Sequence, residues 1–273
     1  MSLKDKVMIV NLTISQWSAR KYDAKASKEV EAAHNAREAG RFNKSLLQSN
    51  TLKEIGKVAN QMRTLHYEKT LPWGDNGDRI LSTEIYFEYI TQVGQLTLAF
   101  NQAAEQFVTK YTSLKEDAKL RLNTLYREDD YPAEWKIRDK FKAHVGFMPV
   151  AESDDLRVDM SEDVLIAMRG QITQEMNTRV GNAINEMLDR IRTAVKHMAD
   201  TLTETDKVFR DSLVGNVQNL VETLPLLNFN NDAKVNDAIR IIGSLCVDPD
   251  KLRNNPAFRK AIAGKAKQIL LNI

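Results

Sequence analysis

The sequence predicts an α+β fold, predominantly α, in which long antiparallel amphipathic helices pack with a small antiparallel β-sheet. Two long apolar stripes at helical spacing predict the helices, and three short segments of alternating polarity predict the strands. From Tyr86 the first stripe runs through Ile90, Val93, Leu96, Phe100, Ala104, Phe107, Tyr111, Leu114, Ala118, Leu122 and Leu125. A step of about 3.5 residues holds these positions on one face. Ser82 or Thr83, followed by Glu84, supplies the N-terminal cap. The second stripe comprises Leu165, Met168, Ile172, Met176, Val180, Ile184, Met187, Ile191, Val195, Met198 and Leu202. Ser161, Glu162 and Asp163 stand where a cap and the helix dipole favour them. The pattern loosens over 203–206, which predicts a break, and resumes at Phe209, Leu213, Val217, Leu220 and Leu224.

Alternation with period two predicts strands with one covered face. Val10, Leu12 and Ile14 are interleaved with Asn11, Thr13 and Ser15. Phe141, Ala143, Val145 and Phe147 alternate with Lys142, His144 and Gly146, and Leu156, Val158 and Met160 with Arg157 and Asp159. The last two segments read as a hairpin near 141–160. Shorter helices are expected over 20–37, 51–67, 232–246 and 256–271. The turn formers of 71–78 mark the best internal boundary. The chain divides by charge into a basic part at 1–71, an acidic long-helix body at 72–250 and a basic helix at 251–273, within one compact fold.

That sorting of charge is the main functional clue. Residues 1–71 carry 13 basic and 7 acidic side chains, and residues 251–273 carry 6 basic and none acidic. The intervening body holds 20 basic and 30 acidic residues, so a formal net charge of +2 conceals two cationic ends. Such asymmetry points to a polyanionic partner, nucleic acid first.

Catalytic signatures are lacking. No phosphate-cradling Gly-x-x-x-x-Gly-Lys-Ser/Thr string occurs, and the Asp75–Asp78 turn lacks the carboxylate spacing of a calcium loop. His34, His66, His144 and His197 are dispersed, with no partner at metal-ligand spacing. The reading is therefore of a non-enzyme with neither cofactor nor metal. The lone cysteine, Cys246, sits between apolar neighbours and reads as a packed thiol in a reducing compartment. No apolar run is long enough to span a membrane, and the start lacks the pattern of a signal peptide. The methionines of the second stripe read as core or subunit interface, and the long stripes make a homo-oligomer the expected assembly.

Basic and aromatic residues interleave in the N-terminal part. Trp17, Arg20, Lys21, Tyr22, Lys25 and Lys28 form one cluster, Arg41, Phe42 and Lys44 a second, and Arg63, Tyr67, Lys69 and Trp73 a third. Single strands are held by this mixture, because cations follow the phosphates while rings stack on unpaired bases. The competing reading is a solvated helix face with its aromatics turned into the core. Lys251, Arg253, Arg259, Lys260, Lys265 and Lys267 extend the cationic set along an amphipathic C-terminal helix. Duplex sequence reading has no helix-turn-helix or zinc-finger spacing behind it.

Three strings carry a resemblance: Val10-Asn11-Leu12-Thr13-Ile14-Ser15-Gln16-Trp17-Ser18-Ala19-Arg20-Lys21-Tyr22-Asp23, Gly40-Arg41-Phe42-Asn43-Lys44, and His66-Tyr67-Glu68-Lys69-Thr70-Leu71-Pro72-Trp73-Gly74-Asp75. With Phe147-Met148-Pro149-Val150, they resemble a phage-encoded family spread through tailed bacteriophage genomes. Within it the chain is similar to the Drc-type single-stranded-DNA-binding RNA polymerase cofactors of podoviruses. The resemblance implies binding to melted middle promoters, recruitment of the phage RNA polymerase and residence in the host cytoplasm. It maps no individual DNA-binding residue. The alternative is a coiled-coil adaptor for a phage-encoded ATPase or for assembly, with no nucleic-acid role.

Overall fold

A computed structural model describes residues 2–156, 160–204 and 207–273. In chain order its strands and helices are β1 (Val7–Ser15), β2 (Arg20–Tyr22), α1 (Ala24–Ala33), β3 (Asn43–Ser45), α2 (Asn50–Lys69), β4 (Leu71–Pro72), β5 (Arg79–Ser82), α3 (Tyr86–Leu122), α4 (Glu134–Ile137), β6 (Lys142–Pro149), α5 (Glu162–Thr203), α6 (Ser212–Leu227), α7 (Ala233–Ile242), α8 (Pro249–Asn254) and α9 (Pro256–Leu270). One four-stranded sheet has the order β4-β5-β1-β6, and β2 pairs with β3 in a separate two-stranded sheet. The fold is α+β and predominantly helical, as the periodicities predict.

Contacts gather the chain into two units, each discontinuous in sequence. The first comprises residues up to Asn11, Tyr67–Ile90 and Gly146–Ile273, and the second comprises Leu12–His66 and Thr91–Val145. The chain passes between them inside β1, α2, α3 and β6.

In the first unit α5 is the spine, and α9, α6, α7 and β4 pack along it. Met187, Ile191, Val195, Met198 and Leu202 of its stripe are buried, as are Val217 and Leu224 of α6 and Ile262 and Ile269 of α9. Each such side chain withdrawn from water contributes about 1.5–3 kcal/mol. The N-terminal half of the same stripe is less covered: Leu165, Met168, Ile172, Met176 and Val180 are only half-buried. Antiparallel β1 and β5 pair from Val7 opposite Ser82 to Val10 opposite Arg79. Ser82 Oγ accepts from the Glu84 N–H, which starts the turn leading into α3 as the cap signal predicts. Two arginines close the end of α2. Arg190 donates to the carbonyls of Tyr67, Glu68 and Thr70, and buried Arg79 donates to Thr70 Oγ1 and its carbonyl. Helix-terminal carbonyls have no intrahelical donor, so these guanidinium groups satisfy what the helix leaves open.

In the second unit the buried stripe of α3 (Phe100, Ala104, Phe107, Tyr111, Ala118) meets Trp17, Phe141 and the segment around Tyr131. Trp17 packs edge-on against Tyr111, with ring centres 5.9 Å apart, a geometry that the opposed ring quadrupoles favour. Deep beside this core lies an ion cluster. Lys44, only 3% exposed, donates to Asp23 Oδ2 at 2.9 Å and to the Leu125 carbonyl at 2.9 Å. Its ammonium also stands 2.6 Å from Asp130 Oδ2, which accepts no other aligned hydrogen bond. Burial opposes charge on the amine, but Asp130 and Asp23 outweigh it and its pKa is raised. Asp23 caps α1, accepting from the N–H groups of Lys25 and Ala26. The Ala26 N–H bond and then Lys44 lower its pKa from the ordinary 3.8 to about 2.

The structure corrects several expectations. The helix expected over 20–37 begins only at Ala24, because Asp23 caps there and the preceding residues are extended against 43–45. The turn formers of 71–78 close a β4–β5 hairpin, turned through Gly77 at φ +82. Its strands escape a period-two search because Arg79, Ile80, Leu81 and Ser82 are all buried. Alternation along β6 holds through Val145 and fails at Phe147, which is exposed. Of the expected second strand, 156–160, the middle residues 157–159 lie outside the described residues, as do 205–206 of the expected break; α5 ends at Thr203.

Replacing Lys44 by Met leaves the buried Asp23 carboxylate and the half-buried Asp130 without their cation. We expect about 3–5 kcal/mol of lost unfolding free energy in a urea titration. The Asp23 contribution is complete above pH 3.8 and disappears as pH falls through about 2, since the folded value is the lower one. Wild-type stability should therefore drop across that window, and an Asp23→Asn chain should show a shallower drop there in acid-unfolding curves.

Candidate nucleic-acid interface

The β2–β3 hairpin and the first turns of α1 bring together most of the first two clusters. Register places Arg20 opposite Ser45, Lys21 opposite Lys44 and Tyr22 opposite Asn43. The chain returning from α1 is held down by three bonds. Ser27 Oγ accepts from the Phe42 N–H at 2.9 Å, the Ser27 hydroxyl donates to the Asp23 carbonyl, and the Asp23 N–H donates to the Phe42 carbonyl. This anchoring leaves Arg20, Lys21, Tyr22, Lys25, Lys28, Arg41 and Phe42 exposed. Tyr22 is 48% and Phe42 39% exposed, and the Arg41 guanidinium lies 5.8 Å from the centre of the Tyr22 ring. Arginine on an aromatic face gives a flat, cationic platform.

Electrostatics at this hairpin follow from Lys44. Asp23 is the one acid between Trp17 and Lys28, and its carboxylate points inward to Lys44 and the α1 cap. Among the described residues Arg20, Lys21, Lys28 and Arg41 form no ion pair, and Lys25 has only a loose one with Glu29 at 3.8 Å. The outer face is therefore cationic although its sequence contains an acid.

Other predicted residues have different fates. Lys44 is withdrawn from any surface role by the cluster that buries it. Trp17 is half-buried against Phe107 and Tyr111, and Arg63 is half-buried with Asn60 as its acceptor. In the first unit Trp73 is 5% exposed, so it belongs to the core, with the Arg179 guanidinium 5.9 Å from its ring. Tyr67 is exposed but has the Arg79 guanidinium at 4.7 Å over its ring, and Lys69 is paired with Glu88 at 2.8 Å. Arg253 is held by Asp211 and Asp250 and lies over Phe209. Arg259 donates to the carbonyls of Thr201, Leu202, Glu204 and Lys207, closing the C-terminal end of α5. Lys251, Lys260, Lys265 and Lys267 are exposed.

Two exposed aromatic features escaped the sequence reading. Trp135 is 76% exposed with the Lys136 ammonium 4.4 Å from its ring, and Glu134 and Lys136 as flanks were the signal for a surface position. Tyr86, Phe87 and Phe147 form an edge-to-face group with centres 5.3 and 5.7 Å apart. Their apolar patterning gave no sign that Phe87 and Phe147 would be exposed.

The remaining features are chemically quiet. An open groove of about 520 Å³ between α5 and α6 is lined by Glu186, Asp189, Arg190 and His197 above Ala194 and Leu220. Arg190 in it is already committed to the end of α2, and Glu186 and Asp189 are paired with Arg190 and Arg192. Among the described residues no group of His, Cys, Asp and Glu is arranged to hold a metal, and no helix is long and apolar enough to cross a membrane. Cys246 is half-buried, and burial pushes its thiol up and away from reactivity. Comparison with family models, with curated proteins and with solved structures returns no match.

Proposed function

We propose that the chain binds single-stranded DNA through the β2–β3 hairpin and performs no chemistry of its own. The carrying observation is the juxtaposition of exposed Tyr22 and Phe42 with Arg41, Arg20, Lys21 and Lys28 on the β2–β3 hairpin, where the acid next to Tyr22, Asp23, is turned inward to Lys44. Rings offer faces to unpaired bases while the cations follow the phosphates. The biological setting we infer is the one the family resemblance implies: a phage protein in the host cytoplasm that engages melted middle promoters and recruits the phage RNA polymerase.

A second reading, self-association, is favoured by one feature of α5. Its half-covered stripe from Leu165 to Val180, with Ile166 and Val164 exposed beside it, suits a partner helix from another copy. Sedimentation of a Met168→Glu, Met176→Glu chain tests this, and an unchanged mass would remove it.

For strand binding, anisotropy of labelled single strands and duplexes is measured from low to high salt. We expect tighter binding to single strands and a steep linear fall of log affinity with log salt, from counterion release. A Tyr22→Ala, Phe42→Ala chain should lose about 1–3 kcal/mol per unstacked base while retaining its salt slope. Weak binding to both forms that salt does not change would remove the proposal.

A further inference from the structure

The hairpin lies in the second unit, yet a stretch of six cations with no acid, residues 251–273, lies in the first. Of the six basic residues beyond Asp250, the two arginines are committed to internal acceptors, as described. The four lysines are exposed, and among the described residues none of them forms an ion pair. Lys265 reaches only the Ser244 carbonyl, at 3.5 Å.

Helical geometry then sorts α9. Ile262, Ala263, Ala266 and Ile269 are buried. At about 100° per residue, the opposite arc carries Lys260 and Lys267 along one edge and Lys265 along the other. Ala257, Ala261, Gly264 and Gln268 lie between them, and all seven positions are exposed. A Cβ placed on Gly264 would meet nothing within 4 Å, so the surface between the lysines is open there. Asp200 of α5 feels Lys267, but it is hydrogen-bonded by Lys196 at 2.8 Å.

Aromatic rings are missing from this arc. Phe258 is half-buried, and Phe209 is covered by the Arg253 and Arg259 guanidinium groups. Apart from Leu271 just past the helix end, no bulky apolar side chain is offered to a lipid or a protein partner. Ammonium groups neutralise phosphates whether the strand is single or paired, whereas rings are needed to favour unpaired bases.

We propose that the outward face of α9, through Lys260, Lys265 and Lys267, binds the sugar–phosphate backbone of duplex DNA without reading its sequence. This rests on the reading of the hairpin as a single-strand site and divides the labour. The hairpin selects unpaired bases, and the lysine face takes paired DNA.

The test uses the full chain and a Lys260→Gln, Lys265→Gln, Lys267→Gln variant, with labelled duplex and single strand of equal length. We expect the variant to bind duplex more weakly, with a log affinity against log salt slope shallower by about one unit per lysine removed. Its preference for single strands should rise. An unchanged duplex slope in the variant overturns the proposal. So does a wild-type chain that binds single strands but no duplex, an outcome that leaves the hairpin reading standing. A change in sedimenting mass in the variant would identify the face as a contact between copies and also overturn it. Failure of the hairpin reading shows elsewhere, in single-strand binding that ignores Tyr22 and Phe42.

Discussion

The surface chemistry of the second unit depends on one buried ammonium. Lys44 lies between Asp23 and Asp130, where burial alone would drive the amine toward neutrality. Ion pairs of this kind add little net stability over apolar packing, yet removing one member is costly because the others stay buried and charged. The arrangement ties three distant pieces of chain together: the α1 cap, β3 and the segment after α3. It also changes the sign of the surface. With Asp23 facing inward, the residues around it present cations with little local opposition.

Charge counts from sequence treat arginine and lysine alike, and the structure does not. Arg79, Arg190 and Arg259 each serve backbone carbonyls, several of them at helix ends, and Arg121 donates to the carbonyls of Ser45 and Leu46. A planar fork with five donors suits clustered carbonyl oxygens, whereas an ammonium is strongly hydrated and stays outside. The C-terminal segment shows this division at close range: Arg259 serves the carbonyls at the end of α5, whereas all four lysines are exposed. Lys44 departs furthest from this, and two carboxylates accompany it inward.

Long helices were legible because their stripes persist through ten turns or more of regular spacing, so α3 and α5 were readable almost to the residue. The small strands were not. β2 and β3 read Arg-Lys-Tyr and Asn-Lys-Ser, with no apolar rhythm. β4 and β5 are covered on both faces and therefore lack alternation. Of the site, the exposed members of the first two clusters were legible from composition, since flanking charges keep Tyr22 and Phe42 near water. Trp17 and Trp73 were not, because a ring beside a cation reads alike whether it faces solvent or core. Which of two neighbouring side chains turns inward depends on contacts made tens of residues away.

The division of the chain into two interleaved units bears on the order in which it can form. β1 starts the chain, but its partner β5 is more than sixty residues away along the polymer, Val7 meeting Ser82. The second unit needs everything up to Val145, and the α5 spine gains its α9 cover only from Pro256 onward. During synthesis on a ribosome, neither unit can close as an early autonomous piece. Contacts of such long sequence separation slow folding and leave unpaired strand edges waiting.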